Sequence, residues 1–268
     1  MRKKVMNKNK IIIIILSVVV VLQGALLLRS CKKAQPKKKP VKISLPVTAK
    51  KPKIAIVLDD WGYNANNLQI LKEIKSPLTL SVLPNLPFSK KVSTEAHAAG
   101  FEIIMHLPME PSEKLRLERD TILTTSGEQE IKNILNKDLS SIAYVIGVSN
   151  HMGSAATKDL RTMTIIFSIL KPKRLFFLDS YVSSTSVCWQ LSQKMGIGFA
   201  KRDIFLDNIN DPGYIKSQIN KLKSRAKIYG QAIGIGHDRK ATLMVLKEML
   251  PYAEKEGYEF VFVSELVR

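Results

Sequence analysis

The 268-residue chain has only two cysteines, Cys31 and Cys188, too few for a framework of disulfides. It also lacks the common nucleotide loops. No GxxxxGKS or GxxxxGKT run occurs, and the best glycine cluster, Gly234-Ile-Gly236-His237, misses the third glycine of a dinucleotide loop. There is no GxSxG for an esterase nucleophile and no HExxH for a metalloprotease helix. Acidic residues are absent from the first 53 positions, which hold 15 of the 42 Lys/Arg, so the remainder carries 27 basic groups against 23 acidic ones. The net charge of +19 is therefore a property of the N-terminal segment and not of a folded face, which excludes nucleic acid as a partner.

That segment divides into three parts. Residues 1–10 are a basic N-terminal region, and residues 11–28 run for 18 positions without a charge. A helix of that length spans roughly 27 Å, close to the hydrocarbon thickness of a bilayer and longer than the core of a cleaved signal peptide. Residues 11–28 are thus expected to be a transmembrane signal anchor that holds the protein to the membrane, with the body exported to the periplasmic or extracellular face. Cys31 lies just beyond in a poor lipoprotein processing context, and Cys188 is expected to be a structural thiol. Residues 29–53, with Pro36, Pro40, Pro46 and Pro52 among lysines, read as an extended tether.

From residue 54 to 268 the pattern is that of one α/β domain. Apolar runs at 54–58, 78–83, 102–105, 143–148, 175–178, 198–201, 232–235 and 260–263 read as strands. Amphipathic stretches near 65–75, 89–99, 128–140, 157–170, 184–195, 211–228 and 239–256 read as helices. Such alternation predicts parallel βα units, and this number of units in the available length favours a closed or nearly closed barrel.

Polar residues follow the predicted strands: Asp59-Asp60 after the first, His106 and Glu110 after the third, Asn150-His151 after the fourth, Asp179-Ser180 after the fifth and His237 after the seventh. All strand C-termini of a parallel barrel share one rim, so these residues should converge there. Imidazoles with carboxylates suit a divalent transition metal, and zinc sites commonly use three such ligands. His97, inside a helical stretch, is given no role, and Asp203, Asp207 and Asp211 read as loop and cap residues.

The blocks Ile56-Val-Leu-Asp59-Asp60-Trp-Gly62, Gly100-Phe-Glu-Ile-Ile-Met-His106-Leu-Pro-Met-Glu110, Gly147-Val-Ser-Asn150-His151-Met-Gly153, Phe176-Phe-Leu-Asp179-Ser180 and Ile233-Gly-Ile-Gly236-His237 resemble, in order, those of the divergent polysaccharide deacetylases. These are a branch of the NodB-type carbohydrate deacetylases. The resemblance implies an irregular (β/α) barrel, a Zn²⁺-type divalent metal, and hydrolysis of N-acetyl or O-acetyl groups on an acetylated polysaccharide of the envelope or cell exterior. It places the general base at Asp59, a metal ligand at Asp60 and the general acid at His237, with Asp179 orienting that histidine. Asn150 and Ser180 would contact substrate. Where the family has His-x-x-x-His, this chain has His106 and then Glu110. Either Glu110 is a substituted ligand or a group behind the ligands, or His151 completes the metal site; the latter is preferred. Two rivals stand beside this reading: a weak or inactive glycan-binding envelope protein, and a glycosidase with paired carboxylates, which has no use for three histidines.

Overall fold

The unbroken apolar run Ile54 to Leu58 lies at the heart of a sheet covered on both faces, with every side chain in it buried. It belongs to β1 (Lys53–Trp61), the longest strand of the computed structural model, which describes residues 50–268. Lys53 is already paired, with Gln231 and Glu259, so the tether ends one residue earlier than expected. The basic N-terminal region, the expected anchor, Cys31 and nearly all of the tether lie outside the described residues. Among the described residues no helix is long and apolar enough to cross a membrane.

The other strands are β2 (Thr79–Val82), β3 (Glu102–Met109), β4 (Gly147–Met152), β5 (Phe176–Asp179), β6 (Phe199–Lys201), β7 (Ile204–Phe205), β8 (Gln231–His237) and β9 (Glu259–Val261). All pair in parallel, in the order β6-β5-β4-β3-β2-β1-β8-β7, and β9 lies beside the start of β1. The helices are α1 (Leu68–Lys72), α2 (Ser89–Ala98), α3 (Glu128–Ser141), α4 (Leu160–Leu170), α5 (Cys188–Met195), α6 (Pro212–Tyr229) and α7 (Lys240–Lys255). The parallel βα architecture is as expected, but the ring is a curled sheet and not a fully hydrogen-bonded barrel. The edge strands β6 and β7 do not pair; only Arg202 and Asp203 connect them. The Arg202 N–H donates to Asp179 O and the Asp203 N–H to Ile233 O, so the chain itself steps across the gap. β7, two residues long, is too short to read from a hydrophobic pattern.

Alternation along the strands sorts two cores. Ile54, Ile56 and Leu58 pack toward the helices with Leu71, Leu246 and Leu250, whereas Ala55 and Val57 join Ile104, Leu178, Ile233 and Ile235 inside the curl. Val263 and Leu266, from the 3₁₀ turn Val263–Leu266, close the interior from the end where the strands begin. Gly147 is required here, because a Cβ on it would lie 2.4 Å from the Phe176 ring. Continuing the same alternation upward, the interior position after Val57 is Asp59, after Ile104 is His106, and after Ile235 is His237. Two apolar layers thus support a polar one.

Several boundaries differ from expectation for one reason: a polar side chain does not end a strand whose backbone still has a partner. β3 continues through His106 to Met109, β4 begins at Gly147 and carries Asn150 and His151, and β8 includes His237. The site residues therefore stand on strands, not on the loops after them. Conversely, α4 starts only at Leu160, because Asp159 caps it by accepting from the Thr162 N–H.

Candidate active site

Asp59 and Asp60 are adjacent, and neighbours on a regular strand face opposite ways. The register between β1 and β2 slips here, from Leu58↔Leu80 to Trp61↔Val82, so one extra residue bulges on β1. Asp60 takes the left-handed conformation, φ 66°, and Gly62 follows at φ 125°, where a side chain would collide with Ser89 Oγ and Leu83 O. The bulge brings both carboxylates to one imidazole: His106 Nε2 lies 3.6 Å from Asp59 Oδ2 and 3.4 Å from Asp60 Oδ1. His151, on the neighbouring β4, reaches the same Asp60 Oδ1 with Nδ1 at 3.2 Å. The His106 and His151 rings meet edge to face at 4.9 Å.

The electrostatics divide the carboxylate pair. Asp59 is almost fully buried, and burial pushes its carboxyl above the usual range despite the opposing pull of His106 and His237. Asp60 is a third exposed; partial burial is outweighed by its contacts with His106 and His151, which hold it well below the ordinary value. The two neighbouring carboxyls are thus shifted in opposite directions.

The register Asp59↔His237 places the third histidine beside Asp59 on the adjacent strand β8. Its orienting partner is Asp207, not Asp179: His237 Nδ1 lies 2.7 Å from Asp207 Oδ1, and Asp207 Oδ2 accepts from the His237 N–H and from Thr242 Oγ1. Asp207 has no exposed surface. Burial alone would lower the His237 pKa and raise that of Asp207, but their mutual contact reverses both shifts. Asp207 carried no sequence signal beyond its polar loop, since the short β7 that delivers it was invisible.

The remaining expected residues do other work. Glu110 Oε2 accepts from the Thr124 N–H at 2.5 Å and from Thr124 Oγ1 at 2.6 Å, which fastens the long β3–α3 connection and leaves Glu110 outside the ligand group. Asn150 and Ser180 bind each other, not the exterior: the Ser180 N–H donates to Asn150 Oδ1, and Ser180 Oγ donates to Asn150 O. Both are buried. Asp179 accepts from the Tyr181 N–H and from Ser186 Oγ, so it organises the loop after β5. His97 stacks on Tyr144, outside the group of Asp60, His106 and His151, and Cys188 is a free, buried thiol.

Asp60, His106 and His151 bring one ligand atom each to within 4.8 Å of one another and form a candidate metal site. Two imidazoles and a carboxylate are a suitable donor set for a divalent transition ion. His151 Nε2 and Asp59 Oδ1 are buried without a hydrogen-bond partner, as are Trp61 Nε1, Asp138 Oδ2 and Thr162 Oγ1, a condition costing about 1 to 3 kcal/mol per group.

Parallel strands curled around a rim of carboxylates and imidazoles define an α/β scaffold with a candidate metal site, and the comparisons with known proteins specify it further. Residues 56–267 match the family model described as divergent polysaccharide deacetylase. The chain belongs to that family. It is 35% identical over 208 residues to the uncharacterised protein YibQ of Escherichia coli K12, an alignment covering 78% of this chain and 65% of that relative, so the match spans under two thirds of the relative's length. Among solved structures, the uncharacterised protein ATU2773 of Agrobacterium tumefaciens C58 superposes with a TM-score of 0.76 at 22% identity, covering 83% of this chain and 92% of that one. The Bc1960 peptidoglycan N-acetylglucosamine deacetylase shares the fold with a TM-score of 0.50 at 14% identity, covering 80% and 87%.

Proposed function

We propose that the protein hydrolyses acetyl groups, N-linked in the first instance, on a polysaccharide of the envelope or cell exterior. The observation that carries this reading is the side-by-side placement of Asp59 and His237 beside the Asp60, His106 and His151 group, in a chain of the deacetylase family. Asp60, His106 and His151 would hold a divalent metal, zinc by preference. When bound, such an ion supplies Lewis-acid polarisation of the acetyl carbonyl and stabilises developing negative charge.

The protein's own groups do the rest. Asp59, made more basic by burial, accepts the proton of the attacking water as its oxygen bonds to the carbonyl carbon. His237, held through Nδ1 by Asp207, presents Nε2 and gives a proton to the departing amine nitrogen as the C–N bond breaks. Acetate and a free amino sugar result, and the site returns once Asp59 passes its proton on and His237 regains one.

The test uses metal analysis and hydrolysis of acetylated oligosaccharides together. His106→Ala and His151→Ala should lose stoichiometric metal while His97→Ala keeps it. Asp59→Asn should keep its metal and lose about 10²-fold or more of the activity. A fully metal-loaded wild type that hydrolyses no acetylated sugar would instead support the glycan-binding alternative.

We further infer that residues 11–28 anchor the protein to a membrane with residues 50–268 on its outer side. Full-length protein should sediment with membranes, and a chain lacking residues 1–49 should not. Protease access to residues 29–53 only from the cytoplasmic side would reverse the orientation.

A further inference from the structure

Among the described residues each strand passes to the next through a helix except β6, which reaches β7 through Arg202 and Asp203 alone. The outer face of β6 therefore lacks the helix that would lie between α5 and α6. A groove of about 530 Å³ takes its place, in the size range of clefts that hold small ligands. β6 supplies its floor, α5 contributes Trp189 and Gln190, and α6 contributes Arg225 and Tyr229.

The aromatic side chains of this groove are fixed yet uncovered. Trp189 is 46% exposed and Tyr229 64% exposed. The Trp189 indole meets the buried Phe199 ring edge to face, with centroids 5.6 Å apart. Tyr229 has the Arg225 guanidinium 4.8 Å from its ring centre, and Tyr181, at the end nearest the rim, has Lys201 Nζ at 4.1 Å. Tyr181 also takes φ 51°, uncommon for a bulky side chain, and its N–H donates to Asp179 Oδ1.

The chemistry of the groove selects its ligand. Lys201, Arg225 and Arg268 stand among Asp179 and Asp203, with Arg225 Nε 2.5 Å from Asp203 Oδ1, so the charges nearly cancel. An ion of either sign would meet its like. A wholly apolar chain would desolvate the guanidinium and ammonium groups without replacing their hydrogen bonds to water. A neutral chain of hydroxyls and amides donates and accepts along its edges while its ring hydrogens lie on the indole and phenol faces. We infer that this groove is a binding site for a neutral, acetylated oligosaccharide segment, separate from the Asp60, His106 and His151 group. Its upper end adjoins the candidate active site. Arg202 Nη2 donates to Tyr181 O at 2.9 Å, the Arg202 guanidinium lies 3.6 Å from the Phe205 ring centre, and that ring stacks with the His237 imidazole at 6.1 Å. The groove is thus placed to hold one stretch of a polysaccharide while another lies at His237. That last consequence rests on the functional reading above; binding in the groove does not.

The chain has two tryptophans, which report on the two places separately: Trp61, fully buried, follows Asp60, and Trp189 lines the groove. Full-length protein in a detergent without sugar headgroups is titrated with the hexamer of N-acetylglucosamine, a chelator being present to stop turnover. The long-wavelength emission of Trp189 should move to shorter wavelength as the ring is covered, and Trp189→Phe should abolish that change. By calorimetry, Trp189→Ala and Tyr229→Ala should each bind the hexamer about 10-fold or more weakly, as expected for loss of an aromatic anchor. The glucosamine hexamer, whose ammonium groups meet the cations of the groove, should bind more weakly than the neutral one. No shift of Trp189 emission, affinities within about twofold of wild type in both alanine variants, or equal binding of the two hexamers overturns the inference. A shift that follows protein concentration without sugar assigns the groove to a second copy and overturns it as well. Hydrolysis of acetylated oligosaccharides by metal-loaded protein with no Trp189 response removes the groove alone, and a Trp189 response without hydrolysis removes the catalytic reading alone.

Discussion

Asp138 offers the sharpest test of the physical reasoning, because it is buried with half its hydrogen-bonding capacity unused. It sits on α3, where Oδ1 accepts from Asn85 Nδ2 at 2.6 Å and Oδ2 has no partner. Burial pushes its pKa up to about 7, against the lowering effect of Asn85. The unfolded chain releases this proton near the ordinary value of 3.8, while the folded chain holds it until about pH 7. Stability from this group is therefore complete below pH 4 and is lost as pH rises toward and through 7. The gap corresponds to at most about 4 kcal/mol, and with local relaxation about 2 to 3 kcal/mol is expected. Asp138→Asn mimics the protonated acid at every pH. Near pH 5, where most of the cost has not yet appeared, the variant should unfold within a few degrees of the wild type. At pH 8 it should be the more stable protein by roughly 5 to 10 °C for a domain of this size. Thermal unfolding of both proteins at the two pH values measures this directly. A stability difference of the same size at pH 5 and pH 8 would show that Asp138 is ionised throughout and that the burial argument fails.

Asp207→Asn should lower the His237 pKa, read by histidine NMR titration. It should also destabilise the fold by about 1.5 to 3 kcal/mol, the worth of hydrogen bonds to a charged group. Because the pair raises the His237 pKa, that loss should be largest below the ordinary histidine range and shrink as pH rises past it; a pH-independent loss would refute the pairing. Gly147→Ala should cost about 1 to 3 kcal/mol, since the Phe176 ring must move to admit the methyl group. Denaturant unfolding checks it, and pairing the change with Phe176→Leu should recover part of the loss.

How much of this was legible in the sequence depended on whether the signal was periodic. The apolar runs that became β1, β3 and β8 are hydrophobic on both faces and could be read directly, as could the convergence of Asp60, His106 and His151. Strand ends could not, because backbone pairing continues through polar residues such as His106 and Asn150. The partner of His237 was hidden for a geometric reason: Asp207 is delivered by a two-residue strand that pairs only with β8. Asp179, on a longer and more visible strand, took its place in the reading. A polar side chain at a rim can fasten a loop as readily as it can face a ligand, and the hydrogen bonds of Glu110, Asn150 and Ser180 to their neighbours are not legible in a sequence.

The two ends of the curl make that distinction within one molecule. At the end where the strands begin, Glu102 is also a buried carboxylate raised by desolvation. Its oxygens, however, accept from Thr79 Oγ1, from the Ser264 N–H and from Ser264 Oγ, so the group is saturated and pins the C-terminal turn against β2 and β3. At the opposite end, Asp59 keeps one buried oxygen and His151 one buried nitrogen without a partner, although serine hydroxyls capable of filling such positions stand in the same layer. Folding alone would favour the saturated arrangement at both ends, since each unpaired buried group costs about 1 to 3 kcal/mol. Glu102 and Asp59, two buried carboxylates of one sheet, thus differ in that both oxygens of the first are partnered and one oxygen of the second is not.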